Sequence, residues 1–426
     1  MKLSLRVAAE KAPAHVALID SDRALTFAQL DALVQPRRTP RSPRPTLWTA
    51  GSDLDSLLSL YAHLDSQQLI VPLRPADTAP PVDPAAGRSF DDDALAVPTS
   101  ASTALHPKLA VLTHTALVAA AEASAARLGW HDQDRWLLCL PTHRIGGLSI
   151  LLRCLWAART VVLLPKFSAA AVATACDRHR VTLISLVPAM LREMLDRRPL
   201  WQPPATLRAV LLGGAAASTE LLREARERGV PVLPTYGLTE TAAQVATVAP
   251  GTPPDAIHGV GTPLRGYSLR LGADDRIEIN SPSLFAGYLP STIRRTSDDG
   301  YWTTDDIGRV DDAGRWHVLG RLDDLIVSGG EKLHPLAIES KLRDLPNVRD
   351  VLVFGVPDPK WGALVAAAFV GQPLDRRELR AALESRLQGA ARPRRVIWVD
   401  ALPTAGDGKP SRRKAATLFA DGLQII

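Results

Sequence analysis

Short apolar runs alternate with amphipathic segments between residues 160 and 235, and this alternation constrains the fold more than any other feature of the sequence. The apolar runs predict strands at residues 160–164, 181–187, 208–212 and 230–233. Helices are predicted at 168–179 and from an N-cap at Ser218 to Arg228, where Gly229 ends the helix. Because strands and helices that alternate in this way build a parallel sheet covered by helices, we expect an α/β fold.

The loops at one edge of such a sheet are the first places to search for a functional site. Parallel strands end at the same edge, and ligands of these folds collect at the carboxyl ends of the strands. We therefore predict that the loops after Leu212 and Leu233 carry functional residues.

The pattern of predicted elements changes after residue 320 to that of a compact α+β unit of about a hundred residues, an ordinary domain size. Its predicted elements are a helix at 336–345, strands near 351–356 and 364–370, a helix at 376–387 and a strand at 396–399. The sequence thus predicts a large N-terminal domain of parallel and mixed sheets covered by helices, residues 1–320, and a small mobile C-terminal cap domain, residues 321–426. Two proline-rich stretches, 36–45 and 78–84, are predicted to be surface connections.

Composition excludes several classes of protein. With 46% hydrophobic and 22% charged residues the chain should fold, and no stretch reaches the roughly 18 apolar residues of a spanning helix. The first residues lack the apolar segment of a secretory signal, so we expect a cytoplasmic protein.

Cys139, Cys154 and Cys176 lack metal-site or redox spacing and are expected to fill the core. The net charge is +5, and most of the basic excess lies after residue 320, where it favours a polyanionic ligand such as a nucleotide or coenzyme A or is simply a solvated basic surface. The basic residues do not interleave with aromatic residues, which argues against nucleic-acid binding.

The segment Tyr-Gly-Leu-Thr-Glu-Thr follows the last of the predicted parallel strands. Hydroxyls of Thr239 and Thr241 can donate to phosphate oxygens, Glu240 can hold a magnesium ion, and Tyr236 offers a flat face for a purine. The alternative is a turn built on Gly237 with an incidental carboxylate, and this short motif alone leaves both interpretations open.

Three further charged side chains are candidates for a nucleotide site. Asp306 can accept both hydroxyls of a ribose, and Arg321, beyond an apparent hairpin at 311–314, can pair with phosphate. Lys409 lies on a glycine-flanked loop and can neutralise charge on a carboxylate that attacks phosphate. The alternatives are a salt-bridged hairpin on a solvated face and an ordinary surface lysine.

Taken together, the order of these motifs resembles that of the adenylate-forming superfamily, which contains acyl-CoA synthetases, nonribosomal adenylation domains and luciferases. The resemblance covers residues 7–412 and rests on YGLTET at 236–241, TTDD at 303–306, GRLDD at 320–324 and GDGKPSRR at 406–413. Within that superfamily the chain looks most like the o-succinylbenzoate–CoA ligases of menaquinone biosynthesis. This closer resemblance rests on LPTHRIGGLSILLR at 140–153, SLVPAML at 185–191, and the stretches 207–214 and 236–247.

The resemblance implies an ATP-dependent, AMP-forming acid–thiol ligase. A carboxylate attacks the α-phosphorus of ATP to give an acyl-adenylate and pyrophosphate, and coenzyme A displaces AMP after the small domain has rotated. ATP, Mg²⁺ and coenzyme A are thus implied, with o-succinylbenzoyl-CoA as the product.

The resemblance also implies a role for individual residues. In catalysis and hinge motion these are Lys409, Glu240 (also the magnesium ligand), Thr239 and the hinge Asp323. In nucleotide binding they are Thr99, Ser100, Ser102, Thr103 and Lys108 on the phosphates, Gly214, Ala215 and Tyr236 on adenine, Asp306 on the ribose, and Arg321 on ribose or phosphate. His143, Arg144 and Gly147 are implied to line the acid pocket.

The sequence departs from the family at the phosphate loop. The family form TSG(S/T)TGxPKG is replaced at 99–109 by TSASTALHPKL, in which three glycines are lost and one residue is inserted. An alanine at positive φ costs about 1 kcal/mol, so pyrophosphate binding can be weakened and adenylation slowed or lost. Thr99, Ser100, Ser102, Thr103 and Lys108 retain their polar side chains.

Two other positions also differ from the family. Asp305 replaces a glycine and adds negative charge beside the expected nucleotide site, and Arg144 replaces the usual histidine, with His143 one position earlier. Arg144 can pair with a carboxylate of a dicarboxylic acid or be a surface arginine. Three functions therefore stay open: an o-succinylbenzoate–CoA ligase, a CoA ligase for another acid, and a nucleotide-binding pseudoenzyme.

Overall fold

The computed structural model of the 426-residue chain describes residues 3–42, 44–74, 92–99, 108–289, 296–404 and 410–426. The helices, in chain order, are α1 Leu5–Lys11, α2 Phe27–Val34, α3 Leu54–Asp65, α4 His114–Leu128, α5 Ile145–Ala157, α6 Ala169–Arg178, α7 Pro188–Arg197, α8 Thr219–Glu227, α9 Pro335–Arg343, α10 Arg376–Arg386 and α11 Arg412–Leu418. Among the described residues, none of the helices has the length and apolar character needed to cross a membrane.

The strands of the N-terminal part are β1 Val16–Asp20, β2 Arg23–Thr26, β3 Thr46–Thr49, β4 Ile70–Leu73, β5 Asp93–Pro98, β6 Leu109–Thr113, β7 Arg135–Leu138, β8 Thr160–Leu163, β9 Leu183–Leu186, β10 Ala209–Leu212, β11 Val232–Leu238, β12 Ala243–Thr247, β13 Thr262–Pro263, β14 Ser268–Leu271, β15 Arg276–Asn280, β16 Gly287–Leu289, β17 Trp302–Val310 and β18 Trp316–Arg321. The strands that follow are β19 Ile326–Ser328, β20 Glu331–Leu333, β21 Val348–Asp358, β22 Gly362–Gly371, β23 Arg395–Val399 and β24 Gln424–Ile425.

The largest sheet has the strand order β13-β12-β11-β10-β9-β7-β8-β1-β2. Neighbouring strands from β11 to β1 are parallel, and β12, β13 and β2 add antiparallel edges. Strands β8, β9 and β10 are buried along their whole length. Because helices cover both faces of a parallel sheet, its strands consist of mostly apolar runs, and these runs made the strands recognisable in the sequence.

Successive residues of the central strands pack into two different cores. Trp136 and Leu138 belong to the core that contains α5, whereas Leu137 belongs to the core that contains α6, α7 and α8. This alternation follows from the two-residue period of a strand, which directs neighbouring side chains to opposite faces. The sheet is therefore sandwiched between two helical layers.

Strand order reverses at β7, which has β8 on one side and β9 on the other. The loops that leave β7 and β9 therefore diverge and open a crevice at the carboxyl edge of the sheet, where ligands of such folds bind. One of these loops, residues 139–144, leads into α5, and the other leads through Val187 into α7.

Two smaller sheets contribute to the same edge. One has the order β16-β6-β5-β4-β3, and the other, β14-β15-β17-β18, is antiparallel throughout. The hairpin between β17 and β18 falls at 311–315, as the sequence predicted.

The C-terminal part of the chain forms a sheet of its own, with the order β20-β19-β22-β23-β24 and β21 paired to β22. Both of its cores consist of residues beyond position 325: α9 and α10 pack on one face, and α11 packs on the other. The two parts touch where Lys332 Nζ lies 2.6 Å from Asp274 Oδ1.

The predicted helices and strands are largely confirmed. Ser168 and Ser218 N-cap α6 and α8 through their hydroxyl oxygens, and Gly229 follows α8 at a φ of +72°. The predicted strand at 230–233 is wrong in extent, since β11 begins at Val232 and continues to Leu238 because β12 pairs with its second half. Helix α7 was not predicted.

The proline-rich segment after α2 is mainly exposed and, beyond a 3-10 turn at Gln35–Arg37, irregular in its described residues, as expected for a connection. The other proline-rich segment, 78–84, lies outside the described residues.

Candidate active site

Side chains from two distant segments of the chain, residues 236–240 and the β17–β18 hairpin, meet near the carboxyl edge of the large sheet. Asp306 on β17 and Arg321 on β18 are partners across the antiparallel ladder. The hydroxyl of Tyr236 on β11 donates a hydrogen bond to Asp306 Oδ2 over 2.7 Å. Asp306 and Arg321 also contribute to the electrostatic environment of Glu240, on the 3-10 turn that follows β11. Glu240, Asp306 and Arg321, three of the candidate residues for the nucleotide site, therefore lie near one another.

Tyr236 holds Asp306 through its hydroxyl. Burial and the neighbouring Asp306 carboxylate raise the pKa of Tyr236 well above its usual value, so the phenol stays a donor. The residue is only 8% exposed, and its ring packs in a core with Val245 and Ile277. Its stacking on adenine stays a prediction, whereas its contact with Asp306 was not predicted.

Glu240 lies on the turn Thr239–Thr241 and is half-buried. The hydroxyl of Tyr288 on β16 donates to Glu240 Oε1 over 2.7 Å. Burial raises the pKa of Glu240, and the Tyr288 hydrogen bond opposes that shift. Thr239 is half-buried beside it.

Thr241 does not have the role that the motif suggested. Its side chain is fully buried, and its hydroxyl lies 3.2 and 3.1 Å from the carbonyl oxygens of Leu238 and Ala243. The expectation that this hydroxyl donates to phosphate is wrong, because the hydroxyl closes the turn itself.

The donors at Glu240 suit magnesium. Among the described residues no group of three or more His, Cys, Asp and Glu side chains could hold a metal by itself. Mg²⁺ commonly binds proteins through one or two carboxylates and completes its shell with water and substrate phosphate oxygens. A single half-buried carboxylate with one oxygen already fixed by Tyr288 fits that mode of binding.

The extra negative charge at Asp305 is balanced by two arginines. Asp305 Oδ1 lies 3.0 Å from an Arg276 terminal nitrogen, and Asp305 Oδ2 lies 3.4 Å from an Arg321 terminal nitrogen. Burial opposes the charge of Arg321, but Asp306 and Asp305 outweigh burial and raise its pKa. Asp305 therefore occupies part of the cationic surface that a phosphate would otherwise meet.

The described ends of the phosphate loop lie at the end of the β5–β6 hairpin. The backbone N–H of Thr99 donates to the Lys108 carbonyl over 2.9 Å, and Lys108 Nζ lies 5.3 Å from the ring centroid of Tyr288. Lys108 is thus joined to the Glu240 side of the site through Tyr288. Ser100, Ser102 and Thr103 lie outside the described residues.

The loop after β7 brings the predicted acid-pocket residues to the crevice. Arg144 donates to the Pro98 carbonyl at the end of β5 over 3.4 Å, and His143 is half-buried beside it. A Cβ on Gly147 would lie 2.4 Å from the Pro141 carbonyl oxygen. The loop therefore approaches α5 so closely that only glycine fits at position 147.

The predicted adenine border also lies at the carboxyl edge. Gly214 and Ala215 follow β10 directly and are exposed, and Gly214 has a φ of +79°. A residue with a Cβ would be strained at that φ.

Arg153 on α5 was missed in the sequence and stands out in the structure. It is 4% exposed, its guanidinium carbon lies 5.6 Å from the ring centroid of Trp136, and burial lowers its pKa to about 10. Among the described residues, Nε and one terminal nitrogen of Arg153 have no hydrogen-bond partner. The sequence did contain a signal for it, an arginine inside the apolar helix segment ILLRCLW. Arginine is rarely buried without a partner, so an arginine in such a segment indicates a buried anion or ligand.

The predicted hinge and lysine lie at the C-terminal part. Asp323 is exposed on a 3-10 turn, Leu322–Asp324, that directly follows Arg321. Lys409 lies outside the described residues. Just after it, Arg412 pairs with Asp324 of that turn over 3.3 Å.

Comparison with known proteins gives consistent matches over both parts of the chain. The family model of AMP-binding enzymes matches residues 44–289, and the model of the AMP-binding enzyme C-terminal domain matches residues 337–409. A 2-succinylbenzoate–CoA ligase of Bacillus licheniformis is 35% identical over 347 residues, which span 79% of this chain and 72% of that protein.

Solved structures extend the similarity to the whole fold. An o-succinylbenzoate CoA synthetase of Bacillus subtilis in complex with its acyl-adenylate intermediate has a TM-score of 0.84 at 27% identity, with 97% of this chain and 98% of that chain covered. A structure of the same synthetase in complex with ATP and magnesium also has a TM-score of 0.84 at 27% identity, with 97% and 99% covered.

Proposed function

This chain belongs to the family of AMP-binding enzymes, and within that family we propose that it is an ATP-dependent ligase that converts 2-succinylbenzoate into its coenzyme A thioester through an acyl-adenylate. The observation that carries the proposal is that Glu240, on the turn after β11, lies near Asp306 and Arg321, which face each other on the β17–β18 hairpin far along the sequence. The ligase and synthetase relatives, one of them solved with its acyl-adenylate, favour this acid.

In the first half-reaction an oxygen of the substrate carboxylate bonds to the α-phosphorus of ATP, and the bond from that phosphorus to the bridging oxygen breaks to release pyrophosphate. Asp306, oriented by Tyr236, accepts the ribose hydroxyls. Arg321 and Thr239 donate to ribose or phosphate oxygens. Positioning and charge neutralisation of this kind account for most of the catalysis of phosphoryl and nucleotidyl transfer.

Glu240 would hold the magnesium ion, which, when bound, offsets the negative charge of the phosphates. Lys108, with the hydroxyls of Thr99, Ser100, Ser102 and Thr103, contacts the β- and γ-phosphates, and Gly214 and Ala215 border adenine. Lys409 neutralises the attacking carboxylate in the first half-reaction. In the second, the sulfur of coenzyme A bonds to the acyl carbon, and AMP leaves with the electron pair of the broken C–O bond.

We assign the second carboxylate of the acid to Arg153, and His143, Arg144 and Gly147 to other parts of the acid pocket. 2-Succinylbenzoate retains one carboxylate after the other is adenylated, and that group needs a cation inside an apolar pocket. Arg153 is buried, and two of its nitrogens lack a hydrogen-bond partner among the described residues. Its neighbour Tyr267 donates to Ser283 Oγ, which in turn donates to the Thr241 carbonyl, so Arg153 lies on the Glu240 side of α5.

The same proposal divides the chain into an N-terminal domain, 1–320, and a C-terminal cap, 321–426, that rotates about Asp323 between the half-reactions. Two features support it: the cores beyond residue 325 are separate, and the turn at Leu322–Asp324 is the connection between the two parts.

The test is release of AMP and formation of the thioester by purified protein with ATP, magnesium, coenzyme A and 2-succinylbenzoate. Benzoate, succinate and a medium-chain fatty acid are the controls for acid specificity. We expect turnover with 2-succinylbenzoate to exceed that with the control acids by at least about a hundredfold, since the second carboxylate contributes a buried ion pair. Faster turnover with a control acid would reject 2-succinylbenzoate as the substrate and show that the protein is a ligase for another acid.

One observation favours a second candidate, a nucleotide-binding pseudoenzyme: three glycines of the phosphate loop are replaced in 99–109. Calorimetry separates the two. Binding of AMP without AMP release from ATP with any of the acids would support the pseudoenzyme and reject the ligase.

A further inference from the structure

Tyr288 occupies the junction between the strand that leaves the phosphate loop and the turn that carries Glu240. On β16, Tyr288 pairs with Ala110 and Leu289 pairs with Leu109, in the antiparallel ladder to β6. Lys108 immediately precedes β6. The backbone at Tyr288 is therefore fixed relative to the end of the phosphate loop.

The segment that contains Tyr288 is also tied to the turn of Glu240. The N–H of Phe285 donates to the Glu240 carbonyl over 2.8 Å, and Ser283 Oγ donates to the Thr241 carbonyl over 3.0 Å. The Tyr288 hydroxyl donates to Glu240 Oε1 over 2.7 Å. Backbone and side chain of Glu240 are thus both held by residues 283–288.

The ring of Tyr288 packs against the ring of Phe285. The rings of Phe285 and Tyr288 are tilted by 59° with centroids 4.7 Å apart, and Phe285 itself packs edge-on against Trp302 at 5.2 Å. Phe285 is completely buried. Because the Tyr288 ring packs against a buried ring that is itself packed, swinging it aside would leave a gap beside Phe285, and this restricts the position of the hydroxyl oxygen.

One face of the ring also receives a cation. Lys108 Nζ lies 5.3 Å from the centroid of Tyr288, within the range of a cation–π contact. A single tyrosine thus touches the lysine predicted to bind phosphate and the carboxylate predicted to bind magnesium.

We propose that Tyr288 is a positioning residue for the nucleotide triphosphate: its hydroxyl fixes one oxygen of Glu240 so that the other is presented to magnesium, and its ring directs the ammonium of Lys108. This inference deepens the proposed function and rests on it. It predicts that removal of the hydroxyl weakens binding of magnesium with ATP but leaves the thioester-forming half-reaction unchanged, because pyrophosphate and its metal have left by then.

The first experiment is calorimetric titration of ATP into Tyr288→Phe at a series of magnesium concentrations. Loss of a hydrogen bond to a carboxylate should raise the magnesium concentration for half-maximal binding by about tenfold. Tyr301→Phe is the matched control, since its hydroxyl lies 2.6 Å from Ser268 Oγ and its ring lies 3.9 Å from the Arg270 guanidinium carbon. This control should behave as the wild type does.

The second experiment separates ring from hydroxyl. Tyr288→Leu should weaken ATP binding by a further threefold or more, and this extra loss should disappear in a Lys108→Met background. In a Glu240→Gln background, Tyr288→Phe should change magnesium dependence by less than twofold, because the ligand it orients has already been removed.

Unchanged magnesium dependence in Tyr288→Phe would overturn the inference. Equal losses in nucleotide binding and in thioester formation from supplied acyl-adenylate would also overturn it, since that result indicates a packing role. The titration requires no turnover, so it decides the role of Tyr288 even if wild-type protein releases no AMP, an outcome that would reject only the ligase.

Discussion

Replacement of Arg153 by methionine separates a role in acid binding from a role in folding. Methionine has a similar length and is apolar, so it can fill the space beside Trp136 without a charge. In the structure Arg153 is 4% exposed, and two of its nitrogens have no partner among the described residues. We therefore expect the substitution to raise the stability of the unliganded protein and to lower its affinity for the acid.

The size of both effects follows from burial. Replacement of buried ionic groups by apolar residues is often stabilising by about 1–4 kcal/mol, and the contact of Arg153 with Trp136 offsets part of this gain by about 1–2 kcal/mol. We expect the free energy of unfolding of the unliganded protein to rise by about 1 kcal/mol. Loss of the cation for the second carboxylate should weaken acid binding by about 3 kcal/mol, or roughly 150-fold.

The assay is urea unfolding of the unliganded protein together with the dependence of AMP formation on 2-succinylbenzoate concentration. Arg127→Met is the matched control. The Arg127 guanidinium is half-buried and satisfied, since it donates to Thr262 Oγ1 over 3.1 Å and to the Pro263 carbonyl over 2.7 Å. This control should lose about 1–3 kcal/mol of stability and keep the KM for the acid.

If Arg153→Met loses as much stability as Arg127→Met while its KM for the acid stays within twofold of wild type, Arg153 does not bind the second carboxylate. Arg153 would then be a residue that the fold requires, and the second carboxylate would bind elsewhere.

Three other predictions follow from the site and from one buried ion pair. Tyr236→Phe removes the hydroxyl that donates to Asp306 and should weaken AMP binding by about tenfold in calorimetry. An unchanged affinity would show that Asp306 binds the ribose without help from Tyr236. Asp305→Gly frees Arg321 from an exposed ion pair and should tighten ATP binding by about twofold to fivefold at low salt, the usual size of such a pair's effect. Weaker binding would show that Asp305 does not compete with phosphate for Arg321. For Asp134, burial raises the pKa, but the guanidinium of Arg208 and further hydrogen bonds outweigh it and hold the pKa below its ordinary 3.8. The stability from this pair is therefore present above the unfolded-state pKa and is lost as pH falls through the folded-state pKa, so Asp134→Asn should flatten the decline of the urea midpoint below about pH 4.

Much of the parallel sheet could be predicted because local pattern determined it. Strands such as β8 and β10 are buried on both faces and contain only residues compatible with a sheet interior. Capping serines and Gly229 likewise bounded α6 and α8 from local chemistry alone. The extension of β11 to Leu238 could not be predicted in this way, since it depends on pairing with β12.

The candidate site was predictable in its residue types and not in its contacts. Motif order identified Glu240, Asp306 and Arg321, but the partner of Glu240 is Tyr288, 48 positions away, and the partner of Asp306 is Tyr236, 70 positions away. Such pairings arise from the meeting of separate sheets. Arg153 was overlooked because it stands out only through its nitrogens that lack hydrogen-bond partners among the described residues. Sequence periodicity does not reveal whether a buried side chain has partners.

The most direct measurement is ATP–pyrophosphate exchange driven by 2-succinylbenzoate, with wild type compared with Asp306→Asn. We expect exchange by the wild type that depends on the acid. Asp306→Asn replaces the carboxylate that accepts the ribose hydroxyls, so its exchange rate should fall by roughly a hundredfold or more while its thermal unfolding stays cooperative. Exchange by the variant at the wild-type rate, or no exchange by the wild type at any concentration of the acid, would contradict this expectation.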